Sequence, residues 1–115
     1  MSALSLRRDL DSARQAILDA PTEAEARHWC AWAMNRLLVA AALLTEDVPF
    51  EERFPERSGD LRYARLLAHS PTAHVGKLLP FLKTFGRWVV RESERGTGES
   101  AGSLPRWRKR LGGKR

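Results

Sequence analysis

The residues with the clearest chemistry in this chain are cations with no acid beside them. Between Leu61 and Arg91, 31 residues hold no Asp or Glu but six cations, Arg62, Arg65, Lys77, Lys83, Arg87 and Arg91. Lysine and arginine at this density neutralise phosphates, and the affinity gained is largely independent of base sequence. These six are the predicted phosphate contacts on a helical face. The bland alternative is an ordinary solvated surface. A second cluster lies near the C-terminus, where Trp107 sits among Arg106, Arg108, Lys109 and Arg110. An indole there would stack on a base while the guanidinium groups hold the backbone. The same pattern suits an anionic membrane interface or a solubilising end.

Other chemistries find little support. Cys30 lies in an apolar run, where cysteine acts as a small buried hydrophobe more often than as a thiolate. A single cysteine excludes an internal disulfide and any zinc site built on paired cysteines. His69 and His74 are five residues apart, and His28 is near Cys30 on another predicted helix, so no ligand spacing repeats a known metal pattern. No carboxylate pair accompanies the basic region, and no glycine-rich phosphate loop follows a strand. The expectation is a non-enzymatic protein with no catalytic residue, metal or cofactor.

Charge distribution sharpens this reading. The 115 residues carry a net charge of +6, yet residues 1–60 hold seven cations against eleven anions. Residues 104–115 hold six cations and no anion. Segregation of this kind favours a polyanionic partner. The N-terminal residues lack the apolar core of a signal peptide. The apolar run Trp29–Leu44 is interrupted by Asn35 and Arg36 and is too short to span a bilayer. A cytoplasmic protein without a membrane span is expected.

The elements that must position the cations are helices. Leu6, Leu10, Ala13 and Ile17 form one apolar stripe, which predicts a helix over 3–19 ended by Pro21. Thr22 and Glu25 form a capping box that opens a second helix to Leu44. Its later part is apolar nearly all round, and Trp29, Ala33, Leu37, Ala40 and Leu44 form a stripe, so it is expected to be the most buried element. Trp32 and Arg36 are four apart and suit a surface cation–π pair. Residues 45–59 read as an acidic loop with Pro49, Pro55 and Gly59, pinned to the body by Phe50 and Phe54. A short helix is predicted from Asp60, as N-cap, to His69, with Arg62, Arg65 and His69 on one face. Ser70 and Pro71 then predict a restart and a helix to Arg91. Its buried stripe is Val75, Leu78, Leu82, Phe85 and Val89, and its outward strip is Lys77, Thr84, Arg87 and Arg91, with Phe81 and Trp88 beside it. Pro80 is expected to kink it near Gly76 or to split it into two short helices. The apolar period is lost from Glu92 onward. The predicted organisation is therefore an all-α bundle of four to five helices over residues 1–95, followed by a flexible Gly-rich linker and basic tail over 96–115.

The buried helix over Trp32–Leu44, then Asp60-Leu-Arg-Tyr-Ala-Arg-Leu-Leu67, then Leu78-Leu-Pro-Phe-Leu82, resembles the helical small subunits of multi-subunit CRISPR effector complexes. On that resemblance Arg62, Tyr63, Arg65, Leu66 and Leu67 fall on the short helix. It implies a non-catalytic accessory subunit of a ribonucleoprotein in antiviral defence, stacked in copies beside other protein subunits and holding RNA or DNA backbone on a basic face. The chain has no evident second helical lobe and adds a basic tail, both departures from that pattern. Two further readings stand beside it. One is a helical adaptor whose basic surface meets an acidic protein. The other is a helix-turn-helix regulator with the turn at His69–Pro71, against which Gly76 and Pro80 argue.

Overall fold

A computed structural model describes the backbone of residues 2–102 and the side chains of residues 2–95. The described chain is all helical: α1 (Ala3–Asp19), α2 (Glu23–Leu44), α3 (Phe50–Arg53), a 3₁₀ turn (Pro55–Arg57), α4 (Ser58–His69), α5 (Val75–Phe81), a π-type turn (Leu82–Gly86) and α6 (Arg87–Gly102). This is the expected all-α bundle. α1 packs on α2, α4 packs on the other flank of α2, and α6 closes over α1 and α2.

Local sequence explains where the first two helices begin. Ser2 Oγ accepts the Ser5 N–H at 3.0 Å, and Thr22 Oγ1 accepts the Glu25 N–H at 3.2 Å. Each hydroxyl satisfies a backbone donor that the first helical turn leaves unpaired. The stripe predicted for α1 is buried in full, with Leu6, Leu10, Ala13 and Ile17 joining one core. α2 is less enclosed than its composition suggests. It buries Ala26, Cys30, Ala33, Met34, Leu37, Ala40 and Ala41, whereas Trp29 and Leu44 are half-buried and Val39 and Leu43 remain about half exposed at 51% and 50%. The physical reason is that neighbours flank α2 on its inner sides only, leaving an outer strip uncovered. The Trp32–Arg36 pair forms as expected, with the guanidinium carbon 5.2 Å from the ring centroid. Arg36 also reaches α1, where Nη2 lies 2.7 Å from Asp9 Oδ2.

The middle of the chain departs from the sequence expectations in three places. The segment 45–59 is partly ordered as α3 and the 3₁₀ turn, and α4 starts at Ser58 with Arg57 in the N-cap position. Asp60 is thus a first-turn residue that pairs with Arg57 at 3.1 Å, not the cap. The 3₁₀ turn feeds directly into α4, so no separate start signal is needed. After α4, Ser70–His74 are irregular and Pro71 does not open a helix. Thr72 Oγ1 accepts the His74 N–H at 3.0 Å, a local turn that competes with helix until Val75. The third departure is at Pro80. The break in α-helical pattern lies at Leu82–Gly86, after the proline and not near Gly76. There Thr84 Oγ1 donates to the Pro80 carbonyl at 3.0 Å.

The π-type turn also brings the chain close to α1. A Cβ added at Gly86 would lie 3.2 Å from Leu10 Cδ1, so glycine permits the approach. Beyond the turn, α6 continues through residues that read as linker, from Glu92 to Gly102. Elongating an existing helix costs far less than nucleating one, so glycines are tolerated there at about 1 kcal/mol each relative to alanine. The Glu92–Arg95 pair at 3.4 Å adds a contact on that turn.

Phe81 and Trp88, expected beside the exposed strip, are buried, at 9% and 8% exposure. Trp88 meets Phe50 and Phe54 edge-on at centroid distances of 5.9 and 4.9 Å, and Arg57 lies over its ring at 5.1 Å. Phe50 and Phe54 therefore do pin the acidic segment to the body. Trp88→Ala is expected to destabilise the fold by about 3–5 kcal/mol, because it empties a large site lined by three elements. Chemical denaturation of the variant against the parent measures it; a loss under about 1 kcal/mol would show that the aromatic cluster is not a structural anchor.

Candidate nucleic-acid interface

The predicted phosphate contacts separate into two groups in space. Lys83, Arg87 and Arg91 follow one another at four-residue intervals along the π-type turn and α6, and all three are exposed. They lie outward because Leu82, Phe85, Gly86, Val89 and Val90 take the inward positions of the same stretch. Arg62 and Arg65 are exposed on α4, whose buried side is Leu61, Ala64 and Leu67 against α2. Lys77 is exposed on α5. The tail cluster of Arg106, Trp107, Arg108, Lys109 and Arg110 lies outside the described residues.

The first group lines a groove of about 810 Å³ between α1 and the α5–α6 segment. Its walls carry Arg7 and Arg14 from α1 opposite Lys83, Arg87 and Arg91, and its apolar lining includes Leu10, Leu79, Leu82 and Val90. Arg7 and Arg14 were absent from the predicted contacts. They are seven residues apart on one face of α1, next to its buried stripe. The missing information was tertiary: nothing in the linear sequence brings α1 to residues 79–94. Two acids, Asp11 and Glu94, share the groove with the five cations. None of these five cations has an ion-pair partner among the described residues.

The α4 group is different. Arg65 Nη1 lies 3.5 Å from Glu51 Oε2 on α3. Both side chains are about half exposed, so the pair is weak and readily exchanged for another anion. It does occupy one predicted contact with an acid from the segment 45–59. Arg62 has no such partner among the described residues.

Cys30 is fully buried in the core. Burial pushes its thiol up from the ordinary range, and a backbone hydrogen bond involving Thr72 opposes this to a smaller extent. His74 Nδ1 lies 3.0 Å from Thr72 Oγ1, and His69 is exposed on α4. No helix among the described residues is long and apolar enough to cross a membrane.

Comparison of the chain with protein-family models, curated proteins and solved structures finds no match.

Cys30 is expected to be inert. A thiol reagent at neutral pH should modify it only upon unfolding, and Cys30→Ala should cost on the order of 1 kcal/mol while leaving binding unchanged. Because the folded thiol holds its proton above the unfolded value of about 8.5, stability should fall as pH rises through that value, where only the unfolded chain ionises. Rapid labelling of the native protein would contradict this.

Proposed function

We propose that this protein is a non-enzymatic, nucleic-acid-binding accessory subunit that holds backbone phosphates on the cations bordering the α1/α5–α6 groove. The observation that carries the reading is the line Lys83, Arg87 and Arg91 facing Arg7 and Arg14, five cations with no ion-pair partner among the described residues. Cations with no partner among the described residues are available to an external anion without first breaking a bridge to those residues. Their stagger suits phosphates along a backbone: four helical residues advance about 6 Å. Arg62 and Arg65 supply a second, weaker patch, since Arg65 must exchange Glu51 for phosphate.

The accessory role draws on two features. The groove contains no nucleophile paired with a base, only cations, two acids and aliphatic side chains. The outer strip of α2, with exposed Val39, Ala42 and Leu43, offers an apolar surface for other protein subunits or copies of the same chain. Membership of a CRISPR effector complex is the specific form of this proposal that the resemblance over Trp32–Leu44, Asp60–Leu67 and Leu78–Leu82 suggests. The helix-turn-helix reading is less well supported, because α5 has only seven residues, contains Pro80 and runs into the π-type turn. The adaptor reading places an acidic protein on the same cations.

Titration with labelled oligonucleotides at several salt concentrations tests the proposal. Binding should weaken steeply with salt and be similar across base sequences. Replacing Lys83, Arg87 and Arg91 together with Glu should lower the log–log salt slope by at least about 2, at roughly 0.7 per lost single-strand contact. Arg62→Glu with Arg65→Glu should have a smaller effect. If the parent binds polyglutamate tightly and oligonucleotides not at all, the adaptor reading replaces this one.

A further inference from the structure

The outer side of α2 differs in chemistry from the rest of the surface. Charged residues make up 30% of the chain, yet the 18 residues from His28 to Thr45 hold one, Arg36. Arg36 is turned to α1, where it pairs with Asp9. The strip left facing solvent carries His28, Asn35, Val39, Ala42 and Leu43. Val39 and Leu43 are half exposed, at 51% and 50%. Single surface leucines need no explanation, but a strip without charge along most of a helix marks a contact surface. It shares no residue with the cationic groove, which α2 does not line.

Three features of the strip fit it to itself. A second copy turned end for end about Asn35 sets Ala31 against Val39 and His28 against Ala42, a small side chain against a larger one in each pair. Asn35 then meets Asn35 on the two-fold axis. Its Nδ2 donates one proton to the Ala31 carbonyl at 2.9 Å, and its second N–H and its oxygen have no partner among the described residues. Two such amides face to face donate to each other, and a polar pair within an apolar seam fixes the register. The ends of the strip carry opposite charge, Arg27 at one and Glu46 with Asp47 at the other. The reversed copy brings cation to carboxylates, whereas a parallel copy would set like beside like. Arg27 is bridged to Glu23 at 2.9 Å, but the side chains are 51% and 78% exposed and the bridge is readily exchanged.

We infer that the outer strip of α2 binds a second copy of this chain, antiparallel and about a two-fold axis at Asn35. It names the occupant of the surface on which the proposed accessory role draws, and it is independent of what the grooves hold. Such an interface uses one patch twice and closes at two copies, unlike an open stack built from two different surfaces. One helix face buries less than the ~800 Å² per partner of a standard complex, so the dimer forms in the micromolar range. Both grooves stay open in it.

Analytical ultracentrifugation of the full chain through the micromolar range should show monomer and dimer in equilibrium and no larger species. Val39→Glu with Leu43→Glu should raise the dissociation constant at least about tenfold, because the dimer would desolvate both carboxylates. Thermal melting confirms that this variant is folded, and Val39→Ser with Leu43→Ser serves if it is not. Cysteine placement tests the axis. In a Cys30→Ala background, Asn35→Cys should form an intermolecular disulfide with its own copy, since facing Cα atoms of closely packed helices lie about 5 Å apart. Val39→Cys should not, being about 12 Å along the helix from its own counterpart, but should link to Ala31→Cys when the two are mixed. A chain that stays monomeric, or that grows into larger assemblies, overturns the inference. So does Val39→Cys linking to itself as readily as Asn35→Cys. No readout involves nucleic acid, so each of these failures leaves phosphate binding at the groove standing.

Discussion

The structure depends on a row of aromatic rings that holds the α5–α6 segment in place. Tyr63 of α4 meets Phe81 edge-on at 4.8 Å, Phe81 lies against Phe85 at 5.4 Å, and Phe85 against Trp88 at 5.8 Å. Trp88 then meets Phe50 and Phe54 of the α3 segment. The row thus joins α4, α5, α6 and α3. Edge-to-face and offset contacts add to the large apolar area that each ring removes from water. With one side of the segment fixed inward, the rotation of the helix is fixed, and Lys83, Arg87 and Arg91 have no direction left but outward. The charge pattern of the groove is therefore a consequence of packing on the opposite face.

The π-type turn belongs to the same constraint. Pro80 supplies no N–H, so the ladder of backbone bonds is interrupted at Gly76, yet the segment does not separate into two independent helices. The wide turn at Leu82–Gly86 absorbs the mismatch, and the Thr84 hydroxyl shares its one proton between the carbonyls of Pro80 and Phe81, at 3.0 and 3.3 Å. One extra residue in a turn rotates everything beyond it relative to a regular helix. That rotation accompanies the burial of Trp88, and the turn sets Gly86 against Leu10. Turns of this kind occur often at functional sites, and this one supplies Leu82, Lys83 and Gly86 to the groove.

Electrostatics divides the surface in a way that total charge does not reveal. Arg36, Arg57 and Arg65 have acidic partners, and two of these bridges tie separate elements together: Arg36–Asp9 joins α2 to α1, and Arg65–Glu51 joins α4 to α3. Among the described residues the groove cations have no such partners, which leaves their field directed at solvent. Arg57 combines both roles, pairing with Asp60 and covering Trp88. Exposed bridges of this sort contribute little to stability, and their main effect is to decide which cations remain available.

By itself the sequence determined the helical class, the bounds of α1 and α2, and the exposure of every predicted cation among the described residues. These follow from local rules: a 3.6-residue apolar period, a hydroxyl at the N-cap, and the cost of burying an unpaired charge. The stripe Leu78, Leu82, Phe85 and Val89 was legible for the same reason. Tertiary structure decided the rest. Asp60 gave way as a cap to the 3₁₀ turn before it, Pro71 to the Thr72 turn, and the expected break at Gly76 to the π-type turn after Pro80. By sequence Trp88 stood beside the outward strip; Phe50 and Phe54, more than thirty positions earlier, pack against it and bury it. The same holds for the site. Lys83, Arg87 and Arg91 were recognisable from their spacing, but Arg7 and Arg14 were not, because a groove between two helices exists only when distant segments meet. Helical periodicity states which way a side chain points; only packing states what it faces.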